Sequence, residues 1–244
     1  MEIFVLKSDE VAAITRGTHG NPHHILGMHQ CLNDCYVNAY LPRATAAFVL
    51  RINEETGEPI FKYPMTEIGS QGFFTVKIED SGAFAYKLIT EGEQAAEFYD
   101  PYSFGYSVDP VNVMKVVNGD DGILSDFHVK DLFGARQITL DGVQGVSFCM
   151  NMPGATRVSV VGDFNGWDGR VNPMRRIDYT DMFELFIPGD LMNTRYKFEA
   201  LYRDGNTDIF ADPYAEVYEV APGNASVLAK LEYSWSDSSY MKKR

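Results

Sequence analysis

The chain has 244 residues, 45% of them hydrophobic and 13% aromatic, enough to bury the core of one large domain or two ordinary ones. A net charge of −13 repels polyanions, which excludes nucleic acid and anionic membrane as natural partners and leaves a neutral polymer open. No apolar run approaches the ~20 residues of a membrane span.

The opening "MEIFVLKSDE" carries acids and lacks both a basic start and a long apolar stretch, so no secretory signal is expected. With three cysteines there is no disulfide framework, and a reduced, cytoplasmic setting is the expectation. Ser8 is placed to cap a helix over "DEVAAIT" that Gly17 would end, so residues 1–18 read as a short helical segment.

Next comes "HGNPHHILGMHQCLNDC", which holds His19, His23, His24 and His29 just ahead of Cys31 and Cys35. The spacing matches no zinc-finger pattern, and neither a metal nor a cofactor is expected. The cluster reads as the entry to a sheet, with His24 and His29 satisfying backbone groups and Gly27 allowing a tight turn.

Beyond it, short alternating or β-branched runs are cut by Gly, Pro, Asn and Asp, the pattern of many strands. They occur twice in the same order. "VNAYLPRATAAFVL" from Val37 matches "SFCMNMPGATRVSVV" from Ser147, with Pro42 against Pro153. "YPM" ending at Met65 matches "NPM" ending at Met174, "FTVKI" matches "FELFI", and Tyr86-Lys87 matches Tyr196-Lys197. Asp100-Pro101-Tyr102 matches Asp212-Pro213-Tyr214, and both read as strand-end turns in which Asp accepts backbone N–H groups. The offset stays at roughly 110 residues throughout, as a duplicated domain of ordinary sandwich size requires.

The expected fold is therefore all-β, two tandem immunoglobulin-like sandwiches over 19–128 and 129–232, followed by a C-terminal tail over 233–244. Tyr36, Tyr40, Phe48, Val76, Tyr86 and Leu88 are the expected first core. Phe148, Val158, Val160, Phe164, Leu185, Ile187, Tyr196 and Phe198 are the expected second core. Trp235 is expected to pack on the second sandwich or to await a further domain.

The sharpest segment is "RVSVVGDFNGWDGRVNPMRR". Trp167 sits on a tight turn, where a large apolar ring is costly to expose without a partner. An indole face suits the C–H face of a glucose ring, and Lys197, Asn165 or Asn224 could hydrogen-bond its hydroxyls, an apolar platform with convergent polar groups. A tryptophan packed on a neighbouring loop explains the same pattern equally well. The thirty-four acidic residues offer many carboxylate pairs and single out none, so no residue is nominated as catalytic.

"VVGDFNGWDGR…NPM", "FELFIPG", "YKFE", "ADPYA" and "PGNASV" resemble the second N-terminal domain of bacterial glycogen branching enzymes, a family 48 carbohydrate-binding module. "NPHHILGMH", "DPYSFGYSVD" and "LFGAR…GVQGVSF" resemble the more N-terminal domain of those enzymes and the passage out of it. The resemblance implies a non-catalytic region that positions or weakly binds α-1,4-glucan for glycogen synthesis. It implies two partners, α-glucan (glycogen or maltooligosaccharide) and the catalytic barrel of the parent enzyme, which would follow "LEYSWSDSSYMKKR". Two positions depart from the family: Thr207 stands where a second aromatic is usual, and Asn151 where a tryptophan is usual. The first domain has no tryptophan, although Phe61 or Tyr63 could touch sugar. The alternatives are a protein-docking module without glucan affinity, with Trp167 as its anchor, and the accessory domains of a debranching-type amylase relative.

Overall fold

The computed structural model describes residues 6–69, 71–79, 82–93, 95–119 and 132–229. The elements in chain order are α1 (Ser8–Thr15), β1 (Gly27–Cys31), β2 (Asp34–Tyr40), β3 (Ala44–Ile52), β4 (Pro59–Pro64), β5 (Thr66–Ile68), β6 (Phe73–Ile78), β7 (Tyr86–Gly92), β8 (Ala96–Tyr99) and α2 (Pro110–Val117). They continue with β9 (Gly134–Leu140), β10 (Val143–Asn151), β11 (Ala155–Gly162), β12 (Arg175–Arg176), β13 (Met182–Pro188), β14 (Arg195–Tyr202), β15 (Thr207–Phe210), β16 (Val217–Tyr218) and β17 (Ser226–Val227). The strand pairings are antiparallel.

The fold is all-β, and the sequence repeat is a repeat of topology. One sheet of the first half runs β1-β2-β6-β5 and its counterpart in the second runs β9-β10-β13-β12. The facing sheets are β4-β3-β7-β8 and β11-β14-β17-β16, with β15 on β14 as β8 is on β7. Each half closes its core by alternation, which turns every second side chain inward.

The second core is rich in aromatics: Phe148, Phe183, Tyr196 and Phe198 are buried with Val158, Val160, Met174 and Leu185, and Phe164 packs against them half-buried. Phe148 is its centre, 5.5 Å from the Tyr196 ring, 6.2 Å from Phe164 and 6.4 Å from Phe198.

The first core contains Tyr86 and Leu88 as expected, but in β2 and β3 it departs from expectation by one residue of phase. Val37, Ala39, Val49, Ile78, Phe84, Tyr86 and Leu88 form it, with Val76 packed against it. Tyr36 and Phe48 point the other way: Tyr36 is half-buried, and the Phe48 ring lies under the Lys62 ammonium at 3.6 Å. Tyr40 is buried, but in a separate cluster with Ile14, Ile25, Leu26 and Phe73 on the outer face of the sheet. The N-terminal segment covers that face, so both faces of β2 are buried, and on the outer one Asn38 donates to the Ile25 carbonyl at 2.9 Å. A strand covered on both faces has large side chains on each, which blurs the alternation that sets its phase.

The helix starts one residue early. Lys7, not Ser8, is its N-cap, and the Glu10 carboxylate accepts from the Lys7 N–H at 3.4 Å. Gly17 follows with φ 67°, a left-handed conformation suited to glycine.

The outer face of β10 and β13 is covered too. Phe104, Val108 and α2 lie on it, so Cys149, Phe186 and Met182 are buried there. At its centre Glu184, with no solvent exposure, accepts from Arg175 Nε at 2.6 Å, Ser107 N at 3.0 Å and Ser107 Oγ at 2.5 Å. Residues just past the first repeat thus seal the second. The expected boundary at 128/129 and the tail with Trp235 lie outside the described residues.

Both Asp-Pro-Tyr motifs build one device. Asp100 accepts from the Tyr102 N–H at 2.9 Å and from the Tyr86 hydroxyl at 2.6 Å. Asp212 accepts from the Tyr214 N–H at 2.8 Å and from the Tyr196 hydroxyl at 2.7 Å. The third residues then diverge: Tyr214 stacks on Phe133, whereas Tyr102 crosses to the second half and donates to the carbonyls of Val171 and Pro173, both at 3.2 Å.

Candidate functional site

The turn that carries Trp167 follows β11 directly. Gly166 and Trp167 both adopt left-handed backbone, φ 64° and 63°, the second a costly conformation for a bulky residue. Asn165 sustains it. Its Oδ1 accepts from the N–H groups of Gly162 at 2.9 Å and Trp167 at 3.2 Å. Its Nδ2 donates to the Val160 carbonyl at 2.8 Å and to Asn172 Oδ1 at 2.9 Å. Asn165 is buried and its amide is fully engaged, which leaves nothing for a sugar hydroxyl. The structure places it beneath the platform as the residue that shapes the turn.

Trp167 is 38% exposed, so its ring is neither wedged inside nor fully free. Its Nε1 donates to Asp163 Oδ1 at 3.2 Å, which fixes the ring orientation. Asp163 in turn accepts from Arg195 N at 2.9 Å, Nε at 3.0 Å and Nη2 at 2.9 Å. The hydrogen bonds from Arg195 hold the Asp163 carboxyl below the usual carboxylate range and raise the guanidinium above its ordinary value. Arg195 Nη1 continues to Glu219 Oε1 at 3.1 Å, and Glu219 Oε2 accepts from the Ala225 N–H at 3.1 Å.

Next to Ala225, Asn224 Oδ1 accepts from Lys197 Nζ at 2.6 Å. Arg195, Lys197 and Glu199 alternate along β14 with the buried Tyr196, Phe198 and Ala200, so the three share its outer face. Lys197 and Asn224 are therefore in direct contact. A belt of ion pairs through Asp163, Arg195 and Glu219 joins them to Trp167. Sequence reasoning missed that belt, although Arg195 sits two positions before Lys197 and so shares its face. Ile209, 55% exposed, pairs with Glu199 across β14 and β15 and adds an apolar surface to that face, whose next pair joins Leu201 to Thr207. What results is an oriented indole beside amide, ammonium and carboxylate groups. Such a surface offers one apolar face and several polar partners to a ligand.

The histidines are structural in their contacts. His19 Nδ1 accepts from the Asn21 N–H at 3.2 Å, Asn21 Nδ2 donates to His24 Nε2 at 3.1 Å, and His29 Nε2 donates to the Leu26 carbonyl at 3.1 Å. His23 sets its ring edge-on to Tyr102 at 5.0 Å. Among the described residues no group of three or more His, Cys, Asp or Glu is disposed to hold a metal ion.

Burial first, then the Arg175 charge and the neighbouring histidines, lowers the His23 pKa to about 2, so the ring stays neutral in the fold. Burial lowers His19 and His29 as well. The unfolded chain takes up these protons below about pH 6.5 and the fold refuses them, so stability is lost as pH falls. Two buried aspartates oppose this: burial raises the Asp212 carboxyl and raises that of Asp100 to about 6, and from there down to about pH 4 the fold keeps a proton that the unfolded chain releases. The three histidines, joined by the lowered carboxyls of Asp163, Asp168 and Glu219, outnumber the two aspartates, so a net loss below pH 6 is expected. His23→Gln should recover up to about 2 kcal/mol at pH 5 and little at pH 7.5, read from urea unfolding at the two pH values. Equal effects at both would show that His23 is not the acid-sensitive group.

Two families match the chain. Residues 7–102 match "alpha-1,4-glucan branching enzyme GlgB, N-terminal domain", and residues 132–215 match "Carbohydrate-binding module 48 (Isoamylase N-terminal domain)". The chain thus matches, in order, the tandem N-terminal domains of GlgB-type branching enzymes.

The relatives of these GlgB-type domains agree. The 1,4-alpha-glucan branching enzyme GlgB of Paramagnetospirillum magneticum is 35% identical over 97% of this chain and 31% of its own length. That of Pseudomonas fluorescens is 37% identical over 96% of this chain and 31% of its own. The chain thus spans about a third of the length of these relatives. A pullulanase complexed with maltotetraose from Anoxybacillus aligns over 84% of this chain and 26% of its own, at 15% identity and a TM-score of 0.35. So remote a likeness adds nothing to the assignment. No described helix is long and apolar enough to cross a membrane.

Proposed function

We propose that the chain is a non-catalytic region of a glycogen branching enzyme that holds α-1,4-glucan, weakly, on the Trp167 face. Trp167 is the platform, Lys197 and Asn224 meet sugar hydroxyls, and Asn165 keeps the turn in shape. The observation that carries this reading is the half-accessible indole, locked in orientation by Asp163 on a strained turn. A ring exposed and fixed at such cost fits a ligand better than it fits packing. With Thr207 in place of a second aromatic, one ring is expected to bind only weakly, and Ile209 provides the remaining apolar contact.

The catalytic barrel of the parent enzyme is the second partner in this reading. The chain would hand glucan to it without itself making or breaking a glycosidic bond. The working division is a helical segment over 1–18, sandwiches over 19–128 and 129–232, and a tail over 233–244, with residues 103–117 lending cover to the second sandwich. A cytoplasmic setting agrees with three free, buried cysteines, one of which, Cys149, has its thiol pushed up to about 12 by burial.

Affinity electrophoresis in glycogen gels tests the proposal. Migration of the chain should slow, and Trp167→Ala should weaken binding more than tenfold while the circular dichroism stays native, since loss of a buried apolar ring face costs about 1.5–3 kcal/mol. Retardation that survives the substitution would remove Trp167 from the site. Absence of retardation, together with a stable complex with a separately made barrel, would favour pure protein docking. Branching of amylose by this chain alone would overturn the non-catalytic reading.

A further inference from the structure

We infer that Arg43, a residue of the first sandwich, is a positioning residue for the Trp167 platform of the second. The inference rests on the glucan reading above and extends it: the first half shapes the binding surface of its neighbour.

Arg43 lies in the tight turn between β2 and β3, just after Pro42. That turn is braced from within. Leu41 N donates to the Gly72 carbonyl at 2.7 Å, Ala44 N donates to the Leu41 carbonyl at 3.1 Å, and Gly72 lies so near the Pro42 Cα that a Cβ there would collide with it. From this anchored base the Arg43 side chain crosses to the tryptophan turn. Its Nη2 donates to the Asn165 carbonyl at 3.3 Å, and its guanidinium occupies the space where a Cβ on Gly166 would stand. The contact falls on the two residues immediately before Trp167, the start of the paired left-handed conformation.

Left-handed backbone at a tryptophan persists only where surrounding structure over-determines it. Asn165 supplies the constraint from below, and Arg43 supplies it from the side. The rest of the loop is bracketed by the first half as well. The Arg170 stem packs against Gly17, and its guanidinium lies 5.8 Å from the Tyr40 ring centroid. The Tyr102 hydroxyl holds the carbonyls of Val171 and Pro173. Among these contacts Arg43 alone touches the turn itself, and it is exposed, so its loss removes little buried area.

The test uses the full chain with Trp235→Phe, so that Trp167 is the sole indole. Arg43→Ala and Arg43→Lys are compared with it for maltoheptaose affinity and for acrylamide quenching of the indole. Arg43→Ala should weaken binding about 3- to 10-fold, the loss of one charge-assisted hydrogen bond acting on the platform. It should also raise quenching as the ring loosens. Arg43→Lys, which keeps the charge but loses the planar donor group, should fall between. Should the alanine variant misfold, the lysine variant against the parent answers the same question. Unchanged quenching and affinity would overturn the inference. If instead Trp167→Ala leaves affinity intact, the glucan reading fails, while the quenching comparison still decides whether Arg43 holds the turn.

Discussion

Glu184→Ala is expected to lower the free energy of unfolding by about 3–5 kcal/mol. The carboxylate has no solvent exposure and accepts directly from the Arg175 Nε. Removing it leaves a guanidinium 12% exposed, stacked 3.9 Å from the Tyr106 ring centroid, without this counter-charge. It also strips Ser107 of two hydrogen bonds. Glu184→Gln keeps the shape and part of the bonding but not the charge, so its loss should be smaller. Urea unfolding followed by circular dichroism measures both. Because Ser107 follows the first repeat and Glu184 lies on β13, the loss should appear as reduced coupling between the halves, with one transition broadening toward two. A loss under about 1 kcal/mol for the alanine variant would mean that water replaces the pair freely and the outer cover of β13 is loose.

Phe148→Ala should cost a similar amount, about 3–5 kcal/mol, by a different route. The ring is fully buried and meets Phe164, Tyr196 and Phe198 edge-on or tilted, so its removal opens a void walled by rings that cannot all shift inward. The effect has a functional reach. Phe164 belongs to the tryptophan turn, and Tyr196 lies between Arg195 and Lys197 on β14. A loosened core should therefore weaken glucan retention beyond the stability loss itself. Phe148→Leu, which fills most of the volume, should restore most of the stability. Thermal unfolding gives the first quantity and glycogen-gel migration the second. Native-like stability of the alanine variant would show that the second core is less tightly packed than its burial implies.

The duplication was legible because its markers hold the same positions in both halves. Tyr86 and Tyr196 reach the aspartates of the two Asp-Pro-Tyr turns by the same hydrogen bond, so the residues that align in sequence also align in chemistry. The phase of β2 was not legible, since the N-terminal segment covers its far face and blurs the alternation. The second core read correctly because Val146, Phe148 and Met150 face inward while Ser147 and Cys149, small or polar, face the outer cover.

The geometry around the candidate site was legible in part. Lys197 and Asn224 do meet, and Trp167 does stand at an accessible corner. Asn165 was misread as a surface donor because an asparagine in a turn looks the same in sequence whether it faces solvent or clamps the backbone. The contacts of Arg43 and Tyr102 with the tryptophan loop were not legible. Each residue belongs to a turn of the first half, and only the packing of one sandwich on the other brings them to the tryptophan loop.

The proposed site stands or falls with a glucan lying on the Trp167 ring. The sharpest test follows the indole N–H resonance of Trp167 by nuclear magnetic resonance while maltoheptaose is added, because that proton is pinned to Asp163 beside the proposed sugar face. A saturable shift is predicted, shared by the amides around Lys197 and Asn224 and abolished in those amides by Trp167→Ala. An indole resonance that does not move while other parts of the chain respond would rule the contact out.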